Sequence, residues 1–363
     1  MNGIICCTLD CNLACSYCYE GNGNKFDYPN IKRINEEFDN ARSKIEKFID
    51  ELYIKNTGAV TKIIWHGGEP TLINCELLDS IMQSQKDKGH DIYWSMQSNG
   101  TLITDRYIEV LKKHNVSVGI SLDGLKAQHD KYRRMKNGNP TFDIIIKNIK
   151  KLQKKNVKCS VLITVTDSNV ENLIEIYDYF AILGVNFNFN ALFPDFSESS
   201  PKLNALDYSN CICNLFDHWI SDNTNKIIIT PFILIIEGLL KPERGIPACH
   251  WVKDCSKSFV AIDNHGDLYP CEHWVGNETY KFGNITNGLT SELKKCTFFK
   301  NRINYLSEED CKQCEIWNFC YGGCPWNGWK IFGDPSKKDA SICAGRKRII
   351  YHIRDFLKEN NRI

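Results

Sequence analysis

From Met1 to about Ile220 strand-like and helix-like stretches alternate six times, and this alternation limits the fold more than any other feature. Strands are expected at Ile4–Leu9, Lys62–His66, Asp91–Ser98, Val116–Leu122, Lys158–Thr166 and Asn186–Leu192. Helices are expected between them at Ile34–Ile54, Leu77–Lys88, Asp105–His114, Phe142–Lys155 and Val170–Leu183, with Leu203–Ile220 following the last strand. Gly184 suits the C-cap of the fifth helix. Repeated β/α units argue for a parallel sheet. Six units fall short of the eight that close a barrel. The expected fold class is therefore α/β, with a partial (β/α)6 barrel over residues 1–225. Ligands of such sheets bind beyond the C-terminal ends of the strands. After about Asn225 the alternation stops, and cysteine, glycine and tryptophan become dense. A boundary is expected near Asn223–Lys226, with a small Cys-rich domain over 226–363.

Charge and hydropathy exclude two partner classes. The formal net charge is +1 with no basic block, so nothing favours nucleic acid. The longest apolar run, Ile227–Leu240, is broken by Thr230, Pro231 and Glu237 and is no membrane span. The N-terminus leads straight into a strand and has no signal-peptide pattern, so a cytoplasmic protein is expected. In that setting 18 cysteines read as metal ligands rather than disulfides.

Three of those cysteines, Cys11-x3-Cys15-x2-Cys18, directly follow the first strand. Grouped thiolates bind soft metal centres. A structural zinc site wants four ligands. Three thiols on one loop would instead leave one iron of a cubane cluster open to a small molecule, which reads as a reactive centre. The spacing resembles that of the radical S-adenosylmethionine (SAM) enzymes. The resemblance implies a [4Fe–4S] cluster on Cys11, Cys15 and Cys18 whose open iron holds SAM. One electron then cleaves SAM to a 5′-deoxyadenosyl radical, a step at the low end of cluster potentials.

The same resemblance implies the SAM contacts. Trp65-His66-Gly67-Gly68-Glu69-Pro70 ends the second strand, and glycines there let a ligand approach the backbone closely. Ser98 ends the third strand; Ser121 and Asp123 end the fourth, with Arg133 beyond. These side chains suit a ribose and a carboxylate. Leu192, at the end of the sixth strand, would pack the adenine, and Tyr17 is the aromatic between the second and third cluster cysteines.

Later in the chain, Cys255-x10-Gly266-x4-Cys271, Cys311-x2-Cys314-x5-Cys320-x3-Cys324 and Cys343 match the seven-cysteine pattern of the SPASM extension. Cys249 fits the extra cysteine of anaerobic sulfatase-maturating enzymes. By resemblance Cys249, Cys255, Cys271 and Cys324 hold one auxiliary [4Fe–4S] cluster, and Cys311, Cys314, Cys320 and Cys343 a second, making three clusters in all. Eight ligands for two clusters leave no open iron, which suits electron transfer. Cys311-x2-Cys314 alone would also fit a zinc ribbon. Cys6, Cys7, Cys75, Cys159, Cys211, Cys213 and Cys296 are left over and read mostly as core.

Glu272 and His273 follow Cys271. In the sulfatase-maturating enzymes an aspartate there is taken as the base, so Glu272, or His273 in its place, is the candidate base, displaced by one methylene. The first strand starts at Gly3, so no peptide-recognition domain is expected ahead of the barrel. Cys324-Pro-Trp326-Asn-Gly-Trp329 is aromatic rather than basic. The residues favour a radical SAM maturase that oxidises or cross-links a peptide or protein residue, fed by a donor such as flavodoxin or ferredoxin. Formylglycine formation in a sulfatase is the close alternative. A non-catalytic iron–sulfur carrier is the contrasting reading, and the intact Gly67-Gly68-Glu69-Pro70 and Ser121 speak against it.

Overall fold

A computed structural model describes residues 1–19, 28–192, 203–224, 227–296, 302–308 and 311–362. The strands are β1 (Asn2–Cys6), β2 (Thr61–His66), β3 (Ile92–Ser98), β4 (Ser117–Ser121), β5 (Cys159–Val165), β6 (Phe187–Ala191), β7 (Phe259–Ile262), β8 (Asp267–Tyr269) and β9 (Gly283–Asn284). The helices are α1 (Ile31–Lys55), α2 (Cys75–Asp87), α3 (Asp105–Lys113), α4 (Lys126–Tyr132), α5 (Phe142–Lys154), α6 (Leu173–Leu183), α7 (Ala205–Ser221) and α8 (Thr230–Leu240). Beyond them lie α9 (Leu289–Leu293), α10 (Arg302–Glu308), α11 (Trp317–Cys320), α12 (Pro325–Phe332) and α13 (Cys343–Glu359). The fold is α/β, and each of the six expected strands is present. Gly184 ends α6 at φ 69°, the left-handed cap that glycine permits. Part of the expected boundary, residues 225–226, lies outside the described residues. Among the described residues no helix is long and apolar enough to cross a membrane.

The chain forms two compact units. The first comprises Met1–Ser121, His129–Cys159 and Ser256–Thr297. Its strands run β4-β3-β2-β1-β7-β8-β9, parallel from β4 to β7 and antiparallel from there to β9. Apolar residues at helical spacing on α1, from Ile34 and Phe38 to Ile49 and Leu52, are fully buried on one face. Gly3 in β1 makes room for them: a Cβ there would run into Leu52, Ile63 and Phe48. Period-2 burial in β2 sends Ile63 and Trp65 inward, where Trp65 stacks on Trp94 at 5.5 Å. The register pairs Cys6 with His66 and Ser98 with Ile120. The segments after β1, β2, β3 and β4 therefore leave one edge of the sheet, and the cysteine loop and the Gly-Gly-Glu-Pro turn are among them.

The second unit comprises Leu122–Gln128, Ser160–Cys255 and Phe298–Ile363. β5 and β6 pair in parallel, with Val161 opposite Phe187 and Val165 opposite Ala191. Its aromatic core gathers on α7, where Phe216 meets Phe232 and Phe356 edge-on at 5.3 Å each. Asn204 caps α7 by accepting from Leu206 and Asp207.

Candidate active site

The Cys11–Cys18 loop is held from two sides within the first unit. On one side it pairs with residues 132–136. Ala14 N donates to Arg134 O at 2.9 Å, Ser16 N to Tyr132 O at 3.2 Å and Lys136 N to Asn12 O at 3.3 Å. On the other side the Asn12 amide donates to Thr101 Oγ1 at 2.8 Å and accepts from Asn99 Nδ2 at 2.9 Å. Asn99 Nδ2 also lies 3.7 Å from Cys11 Sγ. Burial pushes the Cys11 thiol well up, and Glu69, Cys15 and Cys18 add to the shift.

Glu69 organises the next layer. It is 1% exposed, and donors surround both of its oxygens. Thr71 N at 2.9 Å, Thr71 Oγ1 at 2.5 Å and Ser98 Oγ at 2.8 Å donate to Oε1; Asn99 N donates to Oε2 at 2.7 Å. Burial pushes the carboxyl up while these four bonds pull against it. A fixed backbone N–H faces each oxygen. The preceding glycines are packed against the chain itself. Gly68 N donates to Thr8 O at 2.7 Å and Glu69 N to Asp10 O at 2.9 Å. A Cβ on Gly67 would strike Thr8 O, and one on Gly68 the carbonyls of Leu9 and Asp10. The side from which a Cβ would project is filled by the segment leading into the cysteines; Gly67, at φ 120°, also needs glycine's freedom.

Arg133 lies over the Tyr17 ring at 5.3 Å, with Nη1 4.0 Å from Cys15 Sγ. Ser121 Oγ accepts from Gln97 Nε2 at 3.1 Å. The other two expected SAM contacts are in the second unit. Asp123 is buried and accepts from Thr164 N at 2.9 Å, and Leu192 N donates to Val165 O at 2.9 Å.

The Cys271-Glu272-His273 turn stands beside the cysteine loop. Tyr19, next to Cys18, stacks on the His273 ring at 4.4 Å. His273 Nδ1 lies 3.4 Å from Glu272 Oε1 and 4.0 Å from Cys271 Sγ. Burial acts to raise the Glu272 carboxyl, but the bond and charge of His273, with His66, outweigh it and hold it at about 2. His66, at the end of β2, accepts from Gly67 N at 2.8 Å through Nδ1, so its proton sits on Nε2. Burial holds its pKa down, opposed by Glu272. The sequence names neither His66 nor Tyr19 as a site residue; their only signal is adjacency to the Gly-Gly-Glu-Pro and cysteine motifs.

In the second unit Cys311, Cys314, Cys320 and Cys343 line one pocket with Trp317 and Asp339. Burial raises the Cys311 thiol, with Cys320, Cys343 and Cys314 adding to it against Lys338. Cys255 is raised by burial and then by the nearby Cys324. The three residues between Cys320 and Cys324 thus step from one thiol group to the other. Cys249 is exposed on a short turn. Of the unassigned cysteines, Cys6, Cys7, Cys75 and Cys213 are buried and Cys159, Cys211 and Cys296 half-buried.

Desolvated thiols crowded in this way favour each other's protonated form, and a soft metal centre turns them into ligands. The donor set fits iron–sulfur clusters. Residues 5–180 match the Radical SAM superfamily. The serine-type anaerobic sulfatase-maturating enzyme of Bacteroides thetaiotaomicron is 28% identical over 96% of this chain and 89% of its own. The cysteine-type enzyme of Clostridium novyi is 31% identical over 88% and 86%. The solved structure of native anSMEcpe with bound AdoMet and Cp18Cys peptide superposes with a TM-score of 0.82, at 26% identity and 99% coverage of both chains.

The chain belongs to the radical SAM superfamily and, within it, to the sequence family of the anaerobic sulfatase-maturating enzymes. It is a radical SAM enzyme of post-translational modification, acting on a peptide or protein residue with SAM and a [4Fe–4S] cluster as cofactors.

Proposed function

We propose that this enzyme converts a serine or cysteine of a sulfatase to formylglycine. The residues alone favour a maturase that oxidises or cross-links a peptide. The relatives move the weight to the alternative, because the two sulfatase-maturating enzymes named above match over 89% and 86% of their length. The observation that carries the proposal is the stack of Tyr19 on His273 at 4.4 Å, which puts Glu272 beside the loop of Cys11, Cys15 and Cys18.

When bound there, the cluster and SAM supply the radical that takes a hydrogen atom from the substrate side chain. Cys11, Cys15 and Cys18 would hold the cluster. Tyr17, Gly67, Gly68, Glu69, Ser98, Ser121 and Arg133 in the first unit, and Asp123 and Leu192 in the second, would contact SAM, with Glu69 also fixing the turn. Glu272 takes the proton from the substrate hydroxyl or thiol. The bond to His273 keeps this carboxylate ionised. His273 holds it in place. Cys249, Cys255, Cys271, Cys311, Cys314, Cys320, Cys324 and Cys343 would hold two auxiliary clusters able to receive the electron left by the oxidation. A flavodoxin or ferredoxin would feed the first.

The test is anaerobic reconstitution with two peptides spanning a sulfatase active-site residue, one with serine and one with cysteine. An aldehyde product, trapped by a hydrazine and located by mass spectrometry, is expected from at least one. A cross-link, or 5′-deoxyadenosine without a peptide product from either, would overturn the assignment. The cross-linking reading keeps one observation in its favour. Trp326 and Trp329 lie 5.0 Å apart with the Lys330 ammonium over both rings, an aromatic surface in the Cys-rich region.

A further inference from the structure

Two buried arginines grip the segment between Cys320 and Cys324. Tyr321, Gly322 and Gly323 all adopt left-handed backbone, at φ 46°, 78° and 74°. Arg302 donates to Tyr321 O and Gly322 O at 3.0 Å each, and to Pro335 O at 3.0 Å. Arg346 is 4% exposed. Its Nη1 lies 3.7 Å from Cys320 Sγ, and its Nη2 is 3.2 Å from Asp339 Oδ2. The guanidinium also covers the Trp251 ring at 5.2 Å. A Cβ at Gly323 would collide with Arg346, so the glycine is what lets this cation reach the sulfur.

Arginine stays charged under all working conditions. A one-electron reduction adds a negative charge to a cluster, and a cation with an N–H aimed at a ligand sulfur stabilises that form. Lys338 and Lys347 also act on the thiols of this pocket, and Arg302 is as buried as Arg346, but Arg302 donates to carbonyls whereas Arg346 aims an N–H at a sulfur. Asp339 lines the same pocket and partly neutralises Arg346.

We propose that Arg346 is a positioning residue of the electron-transfer path: through Cys320 it raises the reduction potential of the cluster held by Cys311, Cys314, Cys320 and Cys343. The cluster then receives electrons from an oxidised substrate more readily than it would with a neutral side chain at 346. This rests on reading those cysteines as cluster ligands.

The experiment is iron quantification and a redox titration followed by electron paramagnetic resonance, on the anaerobically reconstituted full chain. Arg346→Gln should lower one auxiliary midpoint, changing the oxidised-to-reduced ratio at fixed potential by about tenfold, or about 59 mV for one electron. Arg346→Lys should recover part of the shift. Asp339→Asn, which frees the cation of its partner, should move the same midpoint upward. About twelve irons per chain with midpoints unmoved in both Arg346→Gln and Asp339→Asn would overturn the role of Arg346 alone. About four irons in the parent enzyme would overturn the ligand reading, and the proposal with it. Where Arg346→Gln loses iron, Asp339→Asn decides: an upward shift supports the proposal and an unmoved midpoint refutes it.

Discussion

Glu69 offers the sharpest test of how this site is built, because a ligand contact and a structural hub predict different things for Glu69→Gln. Glutamine matches the shape, but one of its two ends is a donor. Oε1 faces Thr71 N and Oε2 faces Asn99 N, both fixed N–H groups, so either orientation sets donor against donor. One charge-assisted bond is lost, about 1.5–3 kcal/mol, and a buried N–H is left without an acceptor, about 1–3 kcal/mol. Relief from burying a charge offsets part of this. A net loss of about 2–4 kcal/mol remains. At about 2 °C per kcal/mol for a chain of this size, the melting temperature should fall by about 4–8 °C. The effect should reach the cysteines, since the residue released is Asn99, whose amide binds Asn12 and approaches Cys11 Sγ. Calorimetry and iron content, both measured without SAM, are the assays. A variant with parental melting and iron, weakened only in SAM binding, would refute the hub and leave Glu69 as a ligand contact alone.

Three further substitutions separate the parts of the site. Gly68→Ala should destabilise by about 1–3 kcal/mol or more, because the new methyl meets the backbone carbonyls of Leu9 and Asp10, which cannot swing aside as a side chain would; thermal melting reads it. Glu272→Gln should cut peptide oxidation by about 10²–10⁴-fold while 5′-deoxyadenosine still forms; equal losses of both would remove Glu272 from the base role. Cys15→Ala should abolish SAM cleavage, and retained cleavage would end the radical reading of the loop.

Much of the first unit was legible because its signals are local. Period-2 and helical patterns are properties of neighbouring residues, and the six strands read from them, four in this unit and two in the second, are present with their apolar faces buried. The Cys11–Cys18 spacing and the Gly-Gly-Glu-Pro turn are likewise short. What was not legible is what pairs with what over long separations. Residues 259–262 add in parallel beside β1, and nothing in that stretch names its partner. The antiparallel grip of 132–136 on the cysteine loop has the same cause: Tyr132 and Arg134 act there through backbone carbonyls, which carry no sequence signature. Arg302 and Arg346 were invisible for a related reason. An arginine in a charged stretch reads as surface unless the cavity around it is known.

The two cysteine-bearing stretches share a construction principle. In each, a pair of glycines lies beside a buried ionic side chain next to cysteine thiols. Gly67 and Gly68 let the turn press onto Thr8–Asp10, so that Glu69 can hold Ser98 and Asn99 behind Cys11. Gly322 and Gly323 let Arg302 and Arg346 close on the bridge from Cys320 to Cys324. The signs of the two charges are opposite, and their uses follow. A carboxylate beside the first loop accepts backbone donors, anchoring geometry while adding negative charge, which favours a low potential there. A guanidinium beside the second stretch donates to sulfur and favours a higher one. Under the proposed ligand assignment, a higher potential at the second stretch would suit it to accept the electron left by an oxidised substrate.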